Sequence, residues 1–139
     1  MVLLGKALAG GFMPVSAVLC DNHIMENIKP GEHGSTYGGN PLACAVATKS
    51  LEVLIEEKMS ENSATMGEYL LQNLKQIVGG DLLHEIRGRG LFIGIEFKPG
   101  DYATEFSKLL LKNGLIAKPT HGNIIRFSPP LVITKSQVD

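Results

Sequence analysis

Three features of the sequence carry side chains that could do chemistry. The first is Lys6, which lies alone in the apolar, glycine-rich stretch LLGKALAGG and is the only charged residue among the first 20. An unprotonated lysine amine attacks carbonyl groups, and an apolar site without carboxylates favours the unprotonated form. The alternative is a lysine whose stem lies on apolar surface while its amine reaches water. From this stretch alone, that alternative is favoured.

The second feature is the stretch HGSTYGGNP, residues 33–41, whose composition is typical of an anion site. Ser35 and Thr36 offer two hydroxyl donors, and Asn40-Pro41 is a typical helix start. Hydroxyls, free backbone N–H groups and a helix N-terminus together can bind phosphate. A tight connection before a helix would use the same residues, so the stretch alone leaves both interpretations open. The Gly-Lys-Ser/Thr ending of a nucleotide-binding P-loop is missing.

The third feature is Arg126 in IIRFSPP, with no acidic residue within ten positions on either side. A strand arginine in this setting either points to solvent or faces a buried anion. Arginine suits a planar carboxylate because its guanidinium can donate two parallel hydrogen bonds. On base rates alone, solvent is the favoured option.

The composition restricts the class of protein further. With 139 residues, 44% of them hydrophobic and 19% charged, the chain is long enough for a domain with a real core. The net charge of −1 gives no reason to expect nucleic acid or a membrane surface as partner. No apolar run reaches the length of a membrane span. The histidines and cysteines have no metal-ligand spacing, so we predict no metal site.

The first part of the chain is apolar and glycine-rich. The patterns predict a buried strand over 14–20, a short helix over about 22–28 capped by Asp21, and a loop over 31–39. A helix follows from 41 to about 57. Because the first half of this helix is small and apolar all round, we expect it to be buried on every side.

The second part has the pattern of an α+β unit. A helix over about 61–78 places five apolar residues on one face: Met66, Leu70, Leu71, Leu74 and Ile77. The patterns then predict two strands within 82–97 joined at Gly88-Arg89-Gly90, a helix over 102–112 ended by Asn113-Gly114, and short strands over 115–118 and 124–127.

Taken together, five stretches closely resemble the class III pyridoxal-phosphate-dependent aminotransferases: LLGKALAGG, PVSAVL, GEHGSTYGGNPLA, RGRGLFIGIE and IIRFSPPLVI. The resemblance implies an α/β fold, as the C-terminal fragment of a fold-type I transferase. Residues 1–60 would be a remnant of the large cofactor-binding domain, the end of its sheet and a long helix. Residues 61–139 would be the small α+β domain, truncated before its last helix.

The resemblance also implies roles for four residues. Lys6 would bind pyridoxal 5'-phosphate covalently and then move the substrate proton. Ser35 and Thr36 would bind the cofactor phosphate, in a loop that reaches the neighbouring subunit's site, so a homodimer is implied. Arg126 would bind the carboxylate of glutamate or 2-oxoglutarate.

Within the class, the stretch KPTHGNIIRF is most similar to the ornithine aminotransferase group. This implies transfer of the δ-amino group of L-ornithine to 2-oxoglutarate in the cytoplasm, or in the mitochondrial matrix of a eukaryote. The alternatives are a class III enzyme of acetylornithine or GABA type, or a folding or dimerisation module without catalysis. Because the family's aspartate and stacking aromatic for the cofactor ring are missing here, we expect these 139 residues alone to be inactive.

Overall fold

Six strands and five helices make up the chain, and the computed structural model describes all of it, residues 1–139. The chain divides into two units, Met1–Glu57 and Lys58–Asp139. This division lies close to the predicted boundary at residue 60. The assignment of the two parts to a large and a small domain of a transferase stays a prediction.

The first unit begins with a pair of short antiparallel strands. Strand β1 (Val2–Leu4) pairs with β2 (Ala17–Leu19), so that Val2 lies opposite Leu19. Helix α1 (Asn22–Met25) follows and is shorter than the predicted 22–28. Asp21 precedes this helix, but its side chain makes no capping hydrogen bond, so that part of the prediction is wrong.

Helix α2 (Pro41–Glu56) confirms the predicted helix at 41–57. Its expected burial on every side is wrong, because only Ala43 and Ala47 are buried and Leu42 is 62% exposed. The other regular elements of this unit are two strands of three residues and one helix of four residues. Elements of that size cannot surround a helix of 16 residues.

The second unit contains the remaining seven elements. In chain order they are α3 (Met59–Ile77), β3 (Leu83–Arg89), β4 (Phe92–Phe97), α4 (Tyr102–Lys112), β5 (Lys118–Thr120), β6 (Ile124–Phe127) and α5 (Lys135–Val138). The four strands form one antiparallel sheet in the order β3-β4-β6-β5.

Strand β5 begins three residues later than predicted, because residues 113–115 close helix α4. Gly114 has a φ of 86°, and the Leu115 N–H donates to the Leu110 carbonyl over 2.9 Å. This is the left-handed helix end expected from Asn113-Gly114. The backbone of Leu115 is therefore used by the helix and is not free to extend a strand.

The core of the second unit lies on one face of the sheet. Its buried residues come from helices α3 and α4 and from three strands: Leu74, Ile86, Ile93, Ile95, Phe97, Ala103 and Ile125. Leu70 and Leu71 pack against it, as predicted for the apolar face of α3. Ile77 does not, because it is the last residue of α3 and is 77% exposed.

The opposite face of the sheet is uncovered within this unit, and we call it the open face. Since Ile93 and Ile95 point into the core, the alternation of a strand directs Phe92, Gly94 and Glu96 to the open face. The register then aligns four residues in one row across the sheet: Arg87, Gly94, Arg126 and Lys118. Polar and charged side chains thus gather on the open face.

Helix α3 approaches the β3–β4 turn through Gly67, and this contact yields a first prediction. A Cβ atom at Gly67 would lie 2.1 Å from the Gly90 carbonyl carbon, so the helix and the turn touch through backbone alone. We expect Gly67→Ala to lower the free energy of unfolding by about 1–3 kcal/mol, since neither backbone can yield without repacking. Urea denaturation followed by circular dichroism measures this change.

The matched control for this substitution is Gly79→Ala. A Cβ atom at Gly79 would meet no atom within 4 Å, and its backbone is outside the left-handed region. This second glycine-to-alanine change is expected to alter stability by less than about 0.5 kcal/mol. Equal effects of the two substitutions would show that the close contact at Gly67 does not constrain the fold.

Candidate functional site

Lys6 lies at the start of a series of turns that follows β1. Its side chain is exposed and its φ is 56°, a left-handed conformation that is uncommon outside glycine. The turns are held by backbone hydrogen bonds, including one from the Gly10 N–H to the Ala7 carbonyl at 3.0 Å. Strained residues of this kind cluster at functional sites. The ion pairs of the structure involve Lys49 and Arg87 and not Lys6, so its amine has no acidic partner.

The loop at 31–39 presents Ser35 and Thr36 side by side, and both are exposed. Ser35 Oγ accepts a hydrogen bond from the Gly38 N–H at 3.0 Å. A Cβ atom at Gly38 would lie 3.0 Å from the Ser35 Cβ, which explains the glycine there. Because Ser35 Oγ acts as the acceptor, its hydroxyl proton remains available to donate to an anion.

The helix that follows this loop does not supply the free N–H groups that the sequence predicted. Asn40 Oδ1 accepts from the Leu42 and Ala43 N–H groups at 3.0 and 3.2 Å. The Cys44 N–H bonds to the Asn40 carbonyl at 3.0 Å, and Pro41 has no N–H. The first turn of α2 is therefore satisfied by its own cap, and the hydroxyls are the donors that fit a phosphate.

Arg126 lies on β6, on the open face. Its guanidinium carbon is 5.4 Å from the centroid of the Phe92 ring, a cation–π contact. Its Nε is buried and has no hydrogen-bond partner. Buried polar atoms are nearly always paired, so an unpaired Nε–H on an arginine indicates a missing acceptor. The structure therefore favours the interpretation that Arg126 faces an anion over the interpretation that it points freely to solvent.

A surface concavity of about 500 Å³ surrounds this arginine. Its lining includes Phe92, Gly94, Thr120, His121 and Arg126. The concavity is wide enough for a small carboxylic acid. Three arginines, Arg87, Arg89 and Arg126, and an aromatic ring line it, and such charged and aromatic groups are found in small-molecule sites.

A second arginine that lines the concavity, Arg87, has its charge compensated. It forms an ion pair with Glu96 and another with Glu85 at 2.6 Å. The hydrogen bonds that Arg87 donates to Glu96 and then to Glu85 raise the pKa of Arg87. Neither Arg126 nor Arg89, the third arginine of the lining, has an acidic partner, and Arg126 is the one whose buried Nε lacks an acceptor.

The four predicted site residues are divided between the units. Lys6, Ser35 and Thr36 belong to the first unit and Arg126 to the second. The sequence did not predict that Phe92 and Gly94 adjoin Arg126. They lie more than 30 positions away in the chain, and only the register of β4 against β6 brings them together. The alternation of side chains along IIRF and LFIGIEF predicts two strands, but it does not specify the register in which they pair.

The structure holds no group of three or more His, Cys, Asp or Glu side chains that could bind a metal ion. None of its helices has the length and apolar character needed to cross a membrane.

Comparison with known proteins identifies the family. The model of the family described as aminotransferase class-III matches residues 1–139, the whole chain. The chain belongs to the class III aminotransferases. Proteins of this class use pyridoxal phosphate, and the family predicted from the five stretches is confirmed.

Relatives and solved structures agree with this family. A protein of Caenorhabditis elegans named "Probable ornithine aminotransferase, mitochondrial" is 58% identical over 139 residues, which are 100% of this chain and 33% of that relative. The acetylornithine aminotransferase from Elizabethkingia anophelis matches with a TM-score of 0.91 and 51% identity, over 98% of this chain and 37% of its own.

A third match concerns the cofactor. The ornithine aminotransferase from Toxoplasma gondii matches with a TM-score of 0.92 and 43% identity, over 98% of this chain and 33% of its own. The description of that structure reports partial occupancy of PLP at the active site. These matches confirm the predicted α/β fold as a portion of a fold-type I transferase. The class III aminotransferase chain spans about a third of the length of the curated relative above.

Proposed function

We propose that this chain is part of an ornithine aminotransferase, which moves the δ-amino group of L-ornithine to 2-oxoglutarate and releases glutamate semialdehyde and glutamate. The observation that carries the proposal is Arg126, whose buried Nε lacks an acceptor beside a concavity that can hold a small carboxylic acid. In a class III aminotransferase, the carboxylate of the amino or 2-oxo acid is the anion that such an arginine binds. The choice of ornithine as donor rests on the 58% identity with the worm protein.

Each predicted residue has a defined task in this function. Pyridoxal phosphate, when bound, supplies an electron sink for the carbon that loses its proton. Lys6 would hold the cofactor through Nζ and would take the proton from the substrate carbon. Its side chain has no acidic partner that would occupy the amine. Arg126 orients the acid by two parallel hydrogen bonds to its carboxylate.

The hydroxyls of Ser35 and Thr36 hold the cofactor phosphate. Both are exposed on a glycine-rich loop, and a phosphate accepts hydrogen bonds from hydroxyl donors. We propose that the loop serves the site of a neighbouring copy, as in a homodimer with a shared site. Exposed apolar side chains in the same unit, such as Leu3 and Ile55, indicate that another part of the protein or a neighbouring copy covers them. Light scattering of the intact protein tests this proposal, and a monomer would contradict it.

The amino donor is decided by an assay of the intact protein that contains this chain. Purified protein is given 2-oxoglutarate with L-ornithine, N-acetylornithine or GABA in turn, and glutamate formation is measured. We expect the highest kcat/KM with ornithine. Preference for acetylornithine would favour an acetylornithine aminotransferase, like the Elizabethkingia anophelis protein that is 51% identical to this chain. Lack of turnover with any donor would contradict the proposal.

A different class of function is a folding or dimerisation module without chemistry. The isolated chain lacks the family's aspartate and aromatic partners of the cofactor ring, so we expect it to bind pyridoxal phosphate weakly and to be inactive. Titration with the cofactor, followed by its visible absorbance, measures this. For the intact protein we propose the cytoplasm or, in a eukaryote, the mitochondrial matrix, since the worm relative is named as mitochondrial.

A further inference from the structure

The open face of the sheet carries an aromatic residue with no part in the function described above. Phe92 is 61% exposed, yet its ring lies against Arg126 at 5.4 Å from the guanidinium carbon. We propose that Phe92 is a positioning residue, which fixes the direction of the Arg126 guanidinium so that its donor edge faces the incoming carboxylate. This inference rests on the proposed role of Arg126 in binding that carboxylate.

The register explains why Arg126 needs such a support. Its direct neighbour on β4 is Gly94, which offers no side chain to pack against. Its direct neighbour on β5 is Lys118, and like charges directly opposite each other in a sheet repel. The direct neighbours of Arg126 therefore do not fix the direction of its side chain, because Lys118 repels it and Gly94 has no side chain.

Phe92 supplies the missing contact from a diagonal position. It lies two residues before Gly94 on the same face of β4, and diagonal neighbours are within reach of aromatic side chains. The electron-rich face of the ring attracts the guanidinium away from Lys118 and over the strand. The gap left by Gly94 gives the guanidinium room to lie there.

Stacking on a ring leaves the donors of an arginine free, whereas an acidic partner occupies them. The same sheet shows the contrast, because Arg87 donates to both Glu85 and Glu96. The guanidinium carbon of Arg126 lies over the Phe92 ring instead, and its Nε–H has no acceptor in the chain. Such an arginine is ready for a bidentate carboxylate without first losing another partner.

The experiment compares Phe92→Leu with Phe92→Tyr in the intact protein. Leucine keeps apolar volume but removes the ring, whereas tyrosine keeps the ring. We expect Phe92→Leu to lower kcat/KM for 2-oxoglutarate roughly twofold to fivefold, mainly through KM. Phe92→Tyr should stay within about twofold of the unmodified protein. Leu111→Ala, which removes an exposed apolar side chain from α4, serves as control and should change neither constant.

A double-mutant cycle separates positioning from a general structural effect. In an Arg126→Ala background, Phe92→Leu should have no further effect on kcat/KM for 2-oxoglutarate, since the group that it positions is gone. An equal loss in both backgrounds would overturn the inference. So would wild-type kinetics of Phe92→Leu. If Arg126→Ala itself leaves binding of 2-oxoglutarate unchanged, the proposed role of Arg126 fails instead, and the two failures are thereby distinguished.

Discussion

Replacement of Lys6 by alanine in the intact protein is expected to lower kcat for transamination by more than about a thousandfold. In the proposed function, the substitution removes both the amine that holds the cofactor and the base that moves the substrate proton. Since alanine keeps a Cβ atom, the left-handed backbone at φ 56° is strained equally in both forms. The change therefore reports the lost amine. Steady-state rates with ornithine and 2-oxoglutarate measure it, together with cofactor retained after gel filtration.

Lys49→Ala is the matched control for Lys6→Ala. Lys49 is another exposed lysine of the first unit, paired with Glu52 at 3.1 Å and Glu56 at 3.7 Å. The hydrogen bond to Glu52 and the charge of Glu56 raise the pKa of Lys49. Exposed pairs of this kind contribute little to stability, so we expect a rate within about twofold of the unmodified protein. If Lys6→Ala retained more than about a tenth of the activity, the role of Lys6 would be wrong.

Replacement of Arg126 by alanine is expected to raise KM for 2-oxoglutarate roughly 10-fold to 100-fold. In the proposed role a charge-assisted, bidentate contact to the carboxylate is lost, and the other arginine of its row across the sheet, Arg87, is already paired with Glu85 and Glu96. The KM of Arg126→Lys should lie between the KM values of the unmodified protein and of Arg126→Ala, because an ammonium keeps the charge but cannot donate two parallel hydrogen bonds. Initial rates over a range of 2-oxoglutarate concentrations measure the change.

Lys112→Ala is the matched control for Arg126→Ala. It removes a cation in the last turn of α4, outside the open face, and the KM for 2-oxoglutarate should not change. The order of the Arg126 variants is the informative result. Equal KM values for Arg126→Ala and Arg126→Lys would mean that charge alone does not bind the acid. An unchanged KM in both Arg126 variants would show that Arg126 does not bind the carboxylate.

Several elements could be predicted from local signals because their ends are determined by adjacent residues. Asn40-Pro41 predicted the start of α2, and Asn40 indeed caps it through two backbone N–H groups. Helix α4 has the predicted bounds, since Gly114 takes the left-handed conformation that ends it. These signals act over three or four residues and need no partner from elsewhere in the chain.

Two of the failed predictions concern what packs around a helix. Leu42 on α2 is exposed although its sequence neighbours are apolar, and Ile77 is exposed although its spacing matches the core face of α3. A pattern shows which side chains share a face but not how far the opposing element extends. The sequence left open whether the N-terminus of α2 binds an anion, and the structure shows that Asn40 occupies the Leu42 and Ala43 N–H groups.

By itself, the sequence determined the family, through stretches such as LLGKALAGG and IIRFSPPLVI, and it singled out Lys6, Ser35, Thr36 and Arg126 as candidates. Only the tertiary structure decided what surrounds Arg126. Its ring partner Phe92, the gap at Gly94 and the like charge of Lys118 come from three strands. The physical reason is that cross-strand neighbours follow from register, and a shift of one residue would exchange the two faces of the sheet.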